Sequence, residues 1–278
     1  MSSDDLGVEA LADISDGKIA YRSVGQGPPL LLLLPQSSGP RGTGELVSGL
    51  AQDFRIISYD QRGTGKSSPS TGSYAISQQA ADAIELIDAI GLDKVGLVCH
   101  STGCGIGLSM ACEAPDRVAA LVLAAPWSHG DRFLSTMQNL RISAANALDP
   151  EPYAHFNASL LFSPAYRRRF ADEFANLAAQ ANDHPHQPEV IEQRLQAILA
   201  FDARPLLDRV RCRTLVTVAR DDQLMPPWFA REISLGIANA ELVELEAGGH
   251  MILETCSQDI TALVAAFMKQ SMLDAQSH

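Results

Sequence analysis

The chain has 278 residues, 46% of them hydrophobic, and its 21 Lys and Arg against 33 Asp and Glu leave a formal net charge of −12. A chain of this length buries about three-quarters of its extended surface on folding, so it needs no disulfide or metal staple. The acidic balance argues against nucleic acid as a partner, because phosphate binding requires clustered Lys and Arg that release counterions.

The five cysteines, Cys99, Cys104, Cys112, Cys212 and Cys256, are an odd number in a long chain and read as reduced, buried thiols rather than a disulfide framework or metal site. Residues 1–5 are polar and acidic, without the basic and apolar regions of a signal peptide, and the apolar run 30–35 is too short to span a bilayer. A cytoplasmic protein with no membrane partner is expected.

In chain order, strand-like stretches fall at 8–14, 18–24, 30–35, 54–59, 94–99, 119–124, 213–218 and 241–246. Ser15-Asp16-Gly17 joins the first two as a hairpin. From Leu30 onward, continuous apolar strands alternate with helical patterns at 76–90 and 102–114, which predicts crossover connections and a mostly parallel, eight-stranded α/β sheet. The rhythm breaks after Pro126. Residues 127–205 hold only amphipathic helical patterns, at 132–147, 165–181 and 188–201, before strands resume. The expected organisation is a core of residues 1–126 and 206–278 with a helical cap, 127–205, inserted in it.

The apolar stretch Val95 to Cys99 runs through His100 directly into Ser101-Thr102-Gly103-Cys104-Gly105 and a helix of small residues. This is the context of a nucleophile elbow, where a serine on a tight strand-to-helix turn needs small residues two before and two after it. Cys99 and Gly103 meet that need, although glycine is usual at the first position. Ser101 as an ordinary helix N-cap is the plainer alternative. A nucleophilic serine requires a base, and the base an orienting acid. The strand 213–218 ends in Asp221-Asp222, and the last strand is followed by Gly248-Gly249-His250, so both partners stand at strand ends in the expected order.

These features resemble the α/β-hydrolase fold over almost the whole chain. Asp60-Gln61-Arg62-Gly63-Thr64-Gly65-Lys66-Ser67 is similar to the D-x-R-G-x-G-x-S loop of the branch containing 3-oxoadipate enol-lactonases. Its wording, with Leu161-Phe162-Ser163-Pro164-Ala165 and Arg194-Leu195-Gln196-Ala197, resembles the aminoacrylate hydrolases of pyrimidine breakdown. The resemblance implies Asp222, four residues before Pro226, as the acid, with Asp221 the second candidate. Ala124-Ala125-Pro126-Trp127 offers no carboxylate at the other position relatives use, and Asp131 lies too far along. For the oxyanion hole, the Thr102 N–H follows the nucleophile directly, and position implies Ser37 N–H as the second donor, although Pro35-Gln36-Ser37-Ser38-Gly39 lacks the usual His-Gly.

Gln36 and Trp127 are substrate-binding candidates, with core packing an equal alternative for Trp127. Gly63-Thr64-Gly65-Lys66-Ser67 fails as a phosphate loop because Asp60 stands where glycine is needed and a turn-rich segment follows. His184-Pro185-His186 reads as a solvated turn, not a metal pair. Arg167, Arg168 and Arg169 read as an exposed face pairing with Asp172 and Glu173, and Arg62 as a structural ion-pair partner. The expected function is cofactor-independent hydrolysis of a small ester, lactone, amide or carbamate-like bond by Ser101, Asp222 and His250. C–C bond hydrolases, perhydrolases and slow ligand receptors share the fold and remain alternatives. No metal is expected, and the protein would be a monomer or homodimer. Residues 127–205 carry seven arginines against nine acids, so −10 of the −12 belongs to the core. That leaves room for a small anionic substrate under the cap, with Arg132, Arg141 and Arg167 as candidates to hold it.

Overall fold

A computed structural model describes residues 8–35, 39–69 and 74–274. Strands β1 (Val8–Ile14) and β2 (Gly17–Val24) form the expected hairpin, with Gly17 at φ +109° closing the turn. There follow β3 (Pro29–Leu33), helix α1 (Gly44–Leu50), β4 (Arg55–Tyr59), α2 (Ile76–Ala89), β5 (Val95–His100), α3 (Thr102–Glu113) and β6 (Val118–Ala124). Five helices come next: α4 (Arg132–Ala147), α5 (Pro150–Leu161), α6 (Pro164–Arg169), α7 (Ala171–Gln180) and α8 (Pro188–Ala200). The chain ends with β7 (Arg213–Ala219), α9 (Pro227–Gly236), β8 (Ala240–Leu245), α10 (Ile252–Thr255) and α11 (Ser257–Asp274).

The strands make one eight-stranded sheet in the order β1-β2-β4-β3-β5-β6-β7-β8. β1 and β4 run antiparallel to β2, and every other pair is parallel. Parallel strands are covered on both faces, which is why they read as unbroken apolar runs. Alternate residues serve opposite layers: Leu31, Leu33, Leu97, Cys99, Leu121 and Leu123 pack with α2, α3 and α9. Leu30, Leu32, Val98, Val122 and Leu215 pack with α1 and α11 on the other side. The chain leaves β3 toward one edge and returns through β5 on its other side. Ligands of open α/β sheets bind at such a reversal, beyond the carboxyl ends of the strands. Ser101 stands at the end of β5.

One helix differs from expectation. The pattern over 165–181 divides at Phe170 (φ −116°, ψ 36°), whose ring lies 4.6 Å from that of Tyr166 and is flanked by the guanidinium groups of Arg41 and Arg169 at 5.0 Å each. Side-chain contacts of Phe170 thus coincide with the break, and among the described residues no ion pair joins Arg167, Arg168 or Arg169 to Asp172 or Glu173. Arg62 does take the structural role, donating to Asp82 from Nε (3.0 Å) and Nη2 (2.8 Å) and to the Asp16 carbonyl, which ties α2 to the hairpin turn. Among the described residues, no helix is long and apolar enough to cross a membrane.

Candidate active site

The turn from β5 into α3 holds Ser101 at φ 52°, ψ −119°, one of two non-glycine residues with positive φ among those described. Backbone so far from the ordinary wells persists only where its surroundings enforce it, and such strain concentrates at functional turns. Ser101 N–H donates to Ala124 O (2.9 Å), and Ser101 O accepts from Cys104 N–H (2.8 Å). The glycines explain the tightness differently from a collision across the turn. A Cβ on Gly103 would lie 1.8 Å from Leu33 O in β3, and one on Gly107 would lie 2.4 Å from Cys99 Sγ. Gly107 therefore makes the room that lets cysteine stand two residues before the serine.

His250 is 1% exposed, and its ring bridges two partners: Nε2 lies 2.8 Å from Ser101 Oγ and Nδ1 lies 2.8 Å from Asp222 Oδ2. A carboxylate can only accept, so Nδ1 carries the proton and Nε2 is the free base facing the hydroxyl. Asp222 Oδ1 accepts from Leu224 N–H and Met225 N–H, both 2.9 Å, which fixes the carboxylate in the loop after β7. Asp221, its neighbour, accepts from Gly248 N–H and Gly249 N–H, both 2.8 Å. Gly248 and Gly249 have φ +157° and +67°, and that backbone aims His250. The His250 N–H donates to Leu161 O (2.9 Å) at the end of α5. On the other side His100, also buried, joins its Nε2 to His250 O at 2.9 Å. Burial, with His250 adding to it, pushes the His100 pKa down to about 3, so its ring is neutral and Nε2–H donates.

These groups open on a cavity of about 260 Å³. Ser101, Thr102, His250, Gln61 and Met225 line it from the sheet side, and helices α4, α5 and α8 supply Arg141, Tyr153, Asn157, Ile191, Arg194 and Ile198. Thr102 N–H belongs to the first turn of α3, whose donors have no acceptor within the helix. Gln36 and Ser37 lie outside the described residues. Trp127 is fully enclosed and does not line the cavity: Nε1 donates to Ile198 O (3.1 Å), and Gly105 leaves space for the ring. Its place is structural. Asp131 is the side-chain N-cap of α4, accepting from Leu134 N–H at 2.7 Å. Arg132 is exposed and Arg167 stands away from the cavity, leaving Arg141 alone of the three arginines read from sequence. From sequence, neither His186 nor Arg194 takes a place in the site. His186 is half-buried with Nε2 on Ala145 O (2.8 Å), not part of a solvated turn, and Arg194 is named in sequence only within the Arg194-Leu195-Gln196-Ala197 resemblance. Among the described residues, no group of three or more His, Cys, Asp or Glu could hold a metal ion.

Residues 29–255 match the family model described as alpha/beta hydrolase fold. The chain belongs to the α/β-hydrolase family. Among relatives, the "Putative carbamate hydrolase RutD" of Azorhizobium caulinodans is 31% identical over 238 residues, 84% of this chain and 89% of its own. The protein of the same description from Caulobacter sp. strain K31 is 30% identical over 84% of this chain and 88% of its own. The enol-lactonase from Burkholderia xenovorans LB400 superposes with a TM-score of 0.83 at 23% identity, covering 94% of this chain and all of that one. A hydrolase from Pseudomonas aeruginosa PA01 gives 0.82 at 26% identity, over 94% and 98% of the two chains. The family model and the described relatives make the protein a hydrolase of the α/β fold.

Proposed function

We propose that the protein is a cofactor-independent serine hydrolase that cleaves an ester, lactone, amide or carbamate-like bond through an acyl-enzyme. The observation that carries this reading is the unbroken path from Ser101 Oγ to His250 Nε2 and from His250 Nδ1 to Asp222, each step 2.8 Å, at the edge of a cavity. Similarity to proteins described as carbamate hydrolases and to an enol-lactonase supports the bond types.

Ser101 Oγ attacks the scissile carbonyl carbon while its proton passes to His250 Nε2. The imidazolium is balanced by Asp222, which also holds the tautomer. The oxyanion takes the Thr102 N–H at the positive end of α3, with Ser37 N–H, which follows β3 in the sequence, as the second donor. His250 then protonates the leaving oxygen or nitrogen as its bond to the acyl carbon breaks. Water enters, gives a proton to the same nitrogen, attacks the acyl carbon and expels Ser101, which recovers its proton. Residues 127–205 act as a cap on the core formed by 1–126 and 206–278, because their helices supply the far wall of the cavity.

A burst assay with p-nitrophenyl acetate tests this. Wild type should release a stoichiometric burst and then turn over, and Ser101→Ala and His250→Ala should each lose a factor of about 10⁴ or more. Undiminished turnover in either variant would overturn the mechanism. A burst without turnover would move the assignment to a ligand receptor.

A further inference from the structure

The cavity contains a charge imbalance that the proton path does not use. Arg141 is 8% exposed and is held only by neutral acceptors: Nη1 donates to Gln138 Oε1 (2.9 Å), and Nε and Nη2 donate to Asn157 Oδ1 (3.2 and 3.1 Å). Three bonds leave part of its five-donor fork unused. Arg194 stacks 4.7 Å above the Tyr74 ring, and its Nε and Nη2 are buried without any hydrogen-bond acceptor. No Asp or Glu is among the residues that line the cavity, and Glu189 and Glu192, on the same helix as Arg194, are exposed along a separate groove. Two guanidinium groups thus line one cavity with no carboxylate among its lining residues.

A buried, unpaired cation is strongly unfavourable, and burial does push the pKa of both arginines down. Neutral packing would be served by Leu or Met. A planar fork with spare donors is the group best matched to a carboxylate, which it can grip with two parallel hydrogen bonds.

We propose that Arg141 and Arg194 form an anion-binding wall, so that the substrate is a short molecule with a free carboxylate in addition to the carbonyl that Ser101 attacks. The proposal rests on the serine-hydrolase reading for the place of the scissile bond, whereas the anion site itself is a statement about binding. The carboxylate sits against the cap helices and the reacting carbonyl against Ser101 and Thr102, which makes the charge a ruler for substrate length. A cavity of about 260 Å³ suits a small molecule.

The test uses the full chain carrying Ser101→Ala, which cannot turn over, and two esters of equal heavy-atom count: the monomethyl succinate anion and neutral methyl 4-methylpentanoate. Isothermal titration should show the anion binding about tenfold or more tighter. Adding Arg141→Gln or Arg194→Gln should reduce that anion-to-neutral ratio by about tenfold, and Arg194→Lys should restore part of it. Equal affinities for the two esters, or a ratio that survives both glutamine variants, would overturn the proposal. Since the lysine variant keeps the charge and each ratio is internal to one protein, misfolding cannot imitate the expected pattern. A wild-type enzyme that hydrolyses neither ester but shows the ratio would count against the bond type alone.

Discussion

Asp221 and Asp222 are adjacent and chemically identical, yet they hold different things. Asp222 meets the imidazole, while Asp221 holds the two glycine N–H groups that set the loop before it. Asp222→Asn, which presents the wrong hydrogen-bond character to Nδ1, should lower kcat by about 10⁴ and leave the urea midpoint nearly unchanged. Asp221→Ala leaves two donors without their acceptor and should cost about 2 kcal/mol in stability with a smaller loss of rate. Ester turnover and urea melts on both variants check this, and equal rate losses would contradict the division of labour. Asp222 was legible through the family resemblance, which places the acid four residues before Pro226. The work of Asp221 was not legible, because its partners lie 27 and 28 residues further on and only the folded loop brings them there.

Among the elements, a single carboxylate on α10 gathers donors from two other segments. Glu254, 6% exposed, accepts from Gly39 N–H (3.0 Å) and Arg41 N–H (3.1 Å) in the segment leading to α1, and from Tyr166 Oη (3.2 Å) on α6. A Cβ at Gly39 would crowd the Phe162 ring and both Glu254 carboxylate oxygens. Glu254→Ala strands all three donors and should cost roughly 3 kcal/mol, whereas Tyr166→Phe removes one donor and should cost about 1 kcal/mol. Chemical denaturation measures both, and equal effects would show that the backbone contacts carry nothing. The central parallel strands were readable at this scale because β3, β5, β6 and β7 are short, largely apolar runs. The division of 165–181 was not, since the helical period runs through Phe170 unbroken and the ring contacts there include Arg41, more than a hundred residues earlier.

For the whole molecule, the buried His100 links the sheet to pH. An unfolded chain takes up its proton near 6.5, while the folded chain refuses it until about 3. Between those values the unfolded state binds more protons, so stability rises with pH across the window and is lost as pH falls through it, by up to about 5 kcal/mol. The urea midpoint should decline from pH 6.5 downward, and His100→Gln should flatten the curve. Parallel curves for the two proteins would rule this out. Fold class, sheet content and the order of Ser101, Asp222 and His250 at strand ends were legible because they depend on local pattern and chain order. The cavity wall was not. Which face of α8 turns inward, and that Trp127 packs beneath it instead of beside the substrate, follows from helix contacts that no periodicity encodes.

The carbonyl of Leu161 carries a practical consequence. It accepts the backbone N–H of His250 at 2.9 Å and that of Met251 at 3.3 Å, so the last turn of α5 is a strut for His250, the base of the proposed mechanism. Substrate choice and proton transfer are therefore mechanically joined. A chimera that borrows another hydrolase's cap inherits its selectivity only if the graft delivers an acceptor to this same point, and exchanges with junctions inside α5 carry the greatest hazard.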